Sequence, residues 1–359
     1  MSDAVPPRVI GAASRALHAW IAQGRPYPRR AAPLLRQYAW SRHFFGLNLA
    51  LQRKLNPPRP LAAPPLFVLG LWRSGTTFLH ELLAASPALC TPRTWQCMAP
   101  STFAVTGRPA AGVALKRPMD DFTISAGSPQ EDEFALLMLG APSVYRGFID
   151  PRRLDELQAL LDPHGVPVEP GVDPLWLDFL QAVNALEGPT RRLLLKSPNH
   201  SFRTPALLRE FPAAPLVWIT RDPHAIAHSN LKMWRQMAAL YGLAPAPDGA
   251  IERFVLQAMA CAAQVLERLA AALPRGQLVV VSLDELRAEP VGRTLAVLGR
   301  LGLPVGADVA DAIAQAAARH AEVRVDNYAA RALPAGAAEA IVRLAAAQDA
   351  ASKSHGLAR

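Results

Sequence analysis

Apolar residues along the chain fall into two kinds of run. Short unbroken ones occupy residues 66–70, 192–196, 216–220 and 277–282, and their length and β-branched or bulky content predict strands. Longer, helically periodic stretches separate them. One helix follows residue 75 and ends near 85, at Ser86-Pro87. Another opens at Ser128-Pro129, with Ser128 as N-cap, Pro129 at the first helical position and Glu131-Asp132-Glu133 in the first turn. Further helices are expected at about 151–161, 173–187, 201–210, 223–240 and 249–273, followed by an Ala-rich helical remainder from residue 290 with a break near 323–335. Residues 87–129 read as irregular. Strands that are apolar on both faces and alternate with helices predict an α/β fold, a three-layer parallel sheet flanked by helices. Residues 8–55 are helical in pattern, and the Pro-rich segment 56–65 is a stiff connector into the first strand. The expected organisation is a helical N-terminal extension over residues 1–62 and one α/β domain over 63–359, with further helices at its C-terminal end.

Composition narrows the partners. The chain has 359 residues, 51% of them hydrophobic and 19% charged, enough for a substantial core. A net charge of +9 suits an anionic ligand, nucleic acid or a membrane surface. No run of basic residues or basic–aromatic interleaving of the nucleic-acid-binding kind is present, so nucleic acid is not expected. Residues 8–55 are basic throughout; they are expected to pack on the main domain, with membrane-surface or partner contact as the alternative. Cys90, Cys97 and Cys261 form neither a disulfide framework nor a metal signature. With no secretory signal and no apolar stretch approaching the ~20 residues of a membrane span, a soluble, cytoplasmic protein is expected.

The chemistry gathers where strands end. Gly70-Leu71-Trp72-Arg73-Ser74-Gly75-Thr76-Thr77 joins the first strand to a helix, the P-loop-type geometry in which backbone N–H groups and a helix dipole cradle a phosphate. The spacing Gly70-x4-Gly75-x-Thr77 is that of a nucleotide loop, but Thr76 stands where Lys is required, and the cation sits inside the loop at Arg73. Two more strands end in cations, at Lys196-Ser197-Pro198 and Arg221-Asp222-Pro223. Ligands of open parallel sheets bind beyond such strand ends, so three cations are expected around one anion.

These motifs resemble the sulfotransferases that use 3′-phosphoadenylyl sulfate. Arg73-Ser74-Gly75-Thr76-Thr77 is similar to that family's 5′-phosphosulfate loop, and Arg221 with Ser229 to its 3′-phosphate motif. Lys196-Ser197-Pro198-Asn199-His200 and Ser128-Pro129-Gln130-Glu131-Asp132-Glu133-Phe134 resemble segments of the bacterial and tyrosylprotein-sulfotransferase-like branch. The likeness covers roughly residues 64–290. It implies in-line transfer of a sulfuryl group to a hydroxyl or amine without metal, with 3′-phosphoadenylyl sulfate as cosubstrate. Arg73, Ser74, Gly75, Thr76, Thr77, Arg221 and Ser229 would bind the donor, and Lys196 and Arg73 would stabilise the leaving phosphate. Glu131 is the preferred general base, then Glu133, with His80 as rival; His200 and His228 read as structural. The Arg-Lys-Gly-Gly-type C-terminal segment of the cytosolic branch is missing, and Arg324 or Arg331 is a candidate substitute. Trp72, Trp95 and Trp234 are candidates for stacking or for the core. The competing readings are a P-loop kinase with an aberrant loop, and a catalytically silent nucleotide-binding or helical interaction protein. Segments 88–127, 140–150 and 240–250 are expected on the acceptor side, which suits a small molecule, lipid, glycan or peptide.

Overall fold

The computed structural model describes residues 14–108, 115–116, 123–161, 173–320 and 332–357. Its centre is a parallel sheet of five strands: β1 (Leu66–Leu69), β2 (Leu89–Cys90), β5 (Arg192–Lys196), β6 (Leu216–Thr220) and β7 (Leu278–Ser282), in spatial order β2-β5-β1-β6-β7. A separate antiparallel pair, β3 (Leu115–Lys116) and β4 (Thr123–Ile124), lies outside it. β1 is central, with Val68 paired to Lys196 on one side and Leu69 to Trp218 on the other. The carboxyl ends of β1, β5 and β6 are therefore neighbours, which brings the three cationic strand ends to one edge.

Pleating explains the unbroken apolar runs. Phe67 and Leu69 face one layer with Trp218, Leu195 and Val280, while Leu66 and Val68 face the other with Leu194, Val217 and Val279. The first layer is covered by helices Pro223–Tyr241, Ala250–Ala272 and Ala337–His355, the second by Thr76–Leu83, Pro290–Arg300 and Ala307–His320. With both faces covered, no strand needs a polar side. Ala250–Ala272 corrects one expectation, because it is long and apolar enough to cross a bilayer. Phe254, Met259, Ala262 and Leu266 on this helix are buried in the core against the sheet layer.

Two other expectations are corrected. Residues 87–129 are not irregular throughout: β2 adds an edge strand, and short helices span Thr94–Met98 and Phe103–Thr106. Ser128 does not cap a helix. Its backbone carbonyl accepts from Thr94 N–H at 3.0 Å, Gln130 N–H donates to Pro92 O at 2.9 Å, and Pro129 pairs with Arg93 across an isolated bridge. Residues 128–130 are thus tied to residues 92–94 rather than to a helix, which begins only at Glu133. Glu131 stands outside it, and this frees its side chain for a different neighbour.

The N-terminal region forms helices Arg15–Gln23 and Ala32–Leu55. The first is stitched to the body: Ser14 N–H donates to Met138 O at 3.0 Å, Arg153 donates to Trp20 O at 2.8 Å and stacks over its ring, and Tyr27 donates to Asp150 at 2.9 Å. The second is anchored by Gln52, which donates to Pro100 O at 2.8 Å and accepts from Ala104 N–H at 3.0 Å. Its other side is solvent-facing.

Candidate functional site

The loop after β1 is built on backbone that few residues tolerate. Gly70 has φ 141° and Gly75 φ 100°. A Cβ at Gly75 would lie 2.5 Å from Leu283 Cδ1, and one at Gly70 would lie 2.8 Å from Ser74 Oγ. Arg73 carries a side chain at φ 66°, a left-handed conformation that costs about 1–2 kcal/mol. Its neighbours hold it there. Arg221 donates to the Arg73 carbonyl at 2.7 Å, and Arg73 Nε donates to Ser229 Oγ at 3.0 Å. Ser74 is fully buried and turns its hydroxyl back to Leu71 O at 2.7 Å.

Three residues that sequence reasoning missed brace the loop from below. Ser201 Oγ accepts from Gly70 N–H at 2.9 Å and donates to Gly70 O at 3.0 Å. Asn199 accepts from Trp72 Nε1 at 3.0 Å, and Asn230 donates to Trp72 O at 2.8 Å. Asn199 and Ser201 belong to the polar run after Lys196, from which only the Lys was given a role, whereas Asn230 lies inside the helix Pro223–Tyr241 with no local signal. Trp72 and Trp234 stack edge-to-face in the core at 5.4 Å, and Trp95 packs on Phe103. The helix Thr76–Leu83 opens from Gly75 with no side chain capping it, whereas Asp222 caps Pro223–Tyr241 by accepting from Ala225 N–H at 2.9 Å. The opening N–H groups of a helix lack partners within it, so the uncapped end fits an anionic group.

Lys196, at the end of β5, is 3% exposed. Its ammonium donates to Glu131 Oε1 at 2.6 Å and to Thr77 Oγ1 at 3.3 Å, and Tyr145 donates to Glu131 Oε2 at 2.6 Å. A cation, a carboxylate and a loop hydroxyl thus meet at one point. The three consecutive acidic side chains then diverge. Asp132 accepts from Trp176 Nε1 at 2.8 Å and lies 2.9 Å from His200 Nε2. Glu133 is gripped by Arg203 through two bonds of 2.5 and 2.7 Å. Burial alone would raise the Glu133 carboxyl, but the Arg203 guanidinium outweighs it and holds the pKa at about 2. Glu133 is therefore committed to Arg203, while Glu131 is the carboxylate that meets Lys196. His80 is buried, with Nε2 2.7 Å from Thr91 Oγ1; burial first, then the Lys196 and Arg93 charges, push its pKa well below the usual range. Arg203 and Tyr145 were not legible as site residues, because neither belongs to a spaced motif.

The sequence-predicted residues accordingly form two adjoining groups. Arg73, Arg221 and Ser229 are connected through hydrogen bonds, as are Lys196, Thr77 and Glu131. Glu133 and His80 lie outside both. Arg324 and Arg331 fall outside the described residues. A cavity of about 360 Å³ opens along the Ser229 helix, lined by His228, Lys232, Arg235, Glu252 and residues 332–334. It does not include the Lys196 group. Among the described residues, no cluster of three His, Cys, Asp or Glu side chains is disposed to hold a metal.

A parallel sheet with a Gly-bounded loop, uncapped helix end and strand-end cations defines a P-loop-type α/β fold. The sequence profile of the sulfotransferase family matches residues 64–307, and the chain belongs to that family. It is 34% identical over 225 residues to the omega-hydroxy-beta-dihydromenaquinone-9 sulfotransferase Stf3 of Mycobacterium bovis, and equally to that of Mycobacterium tuberculosis. The match covers 60% of this chain and 55% of those relatives, so the chain spans about half their length. Among solved structures, sulfotransferase STF9 of Mycobacterium avium superposes with TM-score 0.65 at 20% identity, covering 92% of this chain and 88% of that one. STF1 of Mycobacterium tuberculosis gives 0.58 at 19% identity, covering 92% and 90%. These two likenesses establish the common fold.

Proposed function

We propose that the protein transfers a sulfuryl group from 3′-phosphoadenylyl sulfate to the hydroxyl of a lipid acceptor. The observation that carries this reading is the buried Lys196–Glu131 contact beside the Arg73–Thr77 loop. It supports the reading because an ammonium suited to meet a leaving group and a carboxylate suited to accept a proton lie within one hydrogen bond of each other, beside the Gly-bounded loop.

The loop N–H groups and the hydroxyls of Thr76 and Thr77 hold the 5′-phosphosulfate, while Arg221 and Ser229 hold the 3′-phosphate. Donor binding redirects the Arg73 guanidinium and the Lys196 ammonium from their protein partners toward phosphate oxygens. The acceptor oxygen then attacks sulfur. The new S–O bond forms as the bond to the bridging phosphate oxygen breaks, and adenosine 3′,5′-bisphosphate leaves with its charge met by Lys196 and Arg73. The acceptor proton passes to Glu131, which Tyr145 orients. Glu131 suits this role better than Glu133, whose pKa of about 2 and Arg203 partner make it a poor base. His80 is disfavoured because burial and neighbouring cations lower its basicity.

A lipid hydroxyl is favoured among acceptors because Stf3 is named for a hydroxylated menaquinone and is 34% identical over the matched region. Single-turnover transfer from labelled donor to a hydroxylated isoprenoid quinone tests the reading. Glu131→Gln is expected to slow it about 10²–10⁴-fold, with bisphosphate affinity retained. Full activity in Glu131→Gln, with loss in His80→Gln, would move the base to His80.

A further inference from the structure

We propose that the outer face of the Ala32–Leu55 helix is a docking surface for an anionic lipid bilayer. Trp40, Phe44, Leu47, Leu51 and Leu55 recur every three or four residues, and at 3.6 residues per turn they share an arc of about 80°. Each is between 43% and 70% exposed. Isolated exposed apolar side chains are ordinary, but five in register along one helix form a continuous stripe. The helix does not display this stripe for want of attachment. Phe45 is buried, Gln52 grips Pro100 O and Ala104 N–H, and Arg53 pairs with Asp178 on the body. The stripe is held outward by bonds on the opposite side.

Charge selects the occupant. The helix contains no acidic residue, and none occurs anywhere from Ala4 to His80. Arg36, His43 and Lys54 border the stripe along one edge and are exposed, as are Arg25 and Arg29 just before the helix. A second copy of this chain would oppose this basic edge with another one, and the helix offers no carboxylate to relieve the repulsion. An anionic bilayer complements both features. Trp, Phe and Leu side chains enter the boundary between headgroups and acyl chains, while Arg and Lys meet lipid phosphates. Because Gln52 joins the helix to residues 100–104, such docking sets the bilayer against the segment expected on the acceptor side.

The test uses the full chain without donor, in flotation with vesicles of phosphatidylcholine alone or of equal parts phosphatidylcholine and phosphatidylglycerol. The wild type is expected to bind the anionic vesicles at least tenfold more tightly than the neutral ones. The triple variant Trp40→Ser, Phe44→Ser, Leu47→Ser is expected to lose tenfold or more of that binding while keeping its melting temperature. Arg36→Gln with Lys54→Gln is expected to weaken binding to anionic vesicles alone. Wild-type binding by the triple variant would overturn the proposal. So would absence of vesicle binding, including the case of a concentration-dependent dimer that the triple variant renders monomeric, which assigns the face to a second copy. The proposal goes beyond the sulfuryl-transfer reading. Adenosine 3′,5′-bisphosphate binding in the same preparations reports on the donor site separately, so failure of one is distinguishable from failure of the other.

Discussion

The carboxyl ends of the central strands and the outer face of the Ala32–Leu55 helix both present cations, in opposite settings. At the strand ends each cation has a designated neighbour: Lys196 meets Glu131, Arg73 meets Ser229, and Arg221 meets the Arg73 carbonyl. On the helix, Arg36 and Lys54 stand exposed beside an apolar stripe. Enclosed charge acts through a low effective dielectric and recognises one ligand by geometry, whereas exposed charge is screened within about 10 Å and recognises a field. On the two readings proposed above, the same residue types would serve a specific site in one region and a broad surface in the other. The difference lies in what surrounds them.

The contrast is sharpest where a charge is fully enclosed. Arg203→Met leaves the buried Glu133 carboxylate without its partner and is expected to cost about 3–5 kcal/mol of stability, read by denaturant unfolding. The pH dependence follows the same pair. The folded pKa of Glu133, about 2, lies below the ordinary 4.5, so its contribution is fully present above 4.5 and is lost as pH falls toward 2. Over that window the wild type is expected to lose on the order of 3 kcal/mol that Glu133→Gln does not, measured as unfolding free energy against pH. Equal acid sensitivity in the two proteins would place the charge elsewhere.

Lys196→Met comes next. The single-turnover rate constant is expected to fall about 10²–10³-fold, because a cation aimed at a developing oxyanion is lost. Affinity for adenosine 3′,5′-bisphosphate should change far less. Arg221→Ala is expected to weaken that bisphosphate by about 1.5–3 kcal/mol in calorimetry, the cost of a charged hydrogen bond. At the exposed extreme, the triple substitution of Trp40, Phe44 and Leu47 should alter folding stability by no more than about 0.5 kcal/mol. A large loss there would mean that the stripe is covered in solution.

Much of the loop and of the strand-end cations beside it was legible in the sequence, for a physical reason. A strand-loop-helix cradle needs Gly70 and Gly75 at fixed separation, and strand ends leave Lys196 and Arg221 as local punctuation. Both features are written in adjacent residues. The acidic run was harder to read. Ser128-Pro129 carries the local signature of a helix start, yet bonding to residues 92–94 keeps it out of the helix, and tertiary contact overrides propensity. That override separates Glu131 from Glu133, which the sequence presents as near-equivalent. Tyr145, Arg203, Asn230 and the Asp132–His200–Trp176 contact went unnoticed because each depends on residues distant in the chain. The helical extension was visible as basic and apolar, but its helical pattern alone could not say which apolar positions stay uncovered.

The central claim is a donor site that recognises two phosphates at once, through the Arg73–Thr77 loop and through Arg221 with Ser229. Isothermal titration of the full chain with adenosine 3′,5′-bisphosphate, adenosine 5′-monophosphate and Mg-ATP tests it directly. The bisphosphate is expected to bind at least about tenfold more tightly than the monophosphate, and Arg221→Ala to erase that difference. Tight binding of Mg-ATP with none of the bisphosphate would contradict the account and return the loop to nucleotide triphosphate chemistry.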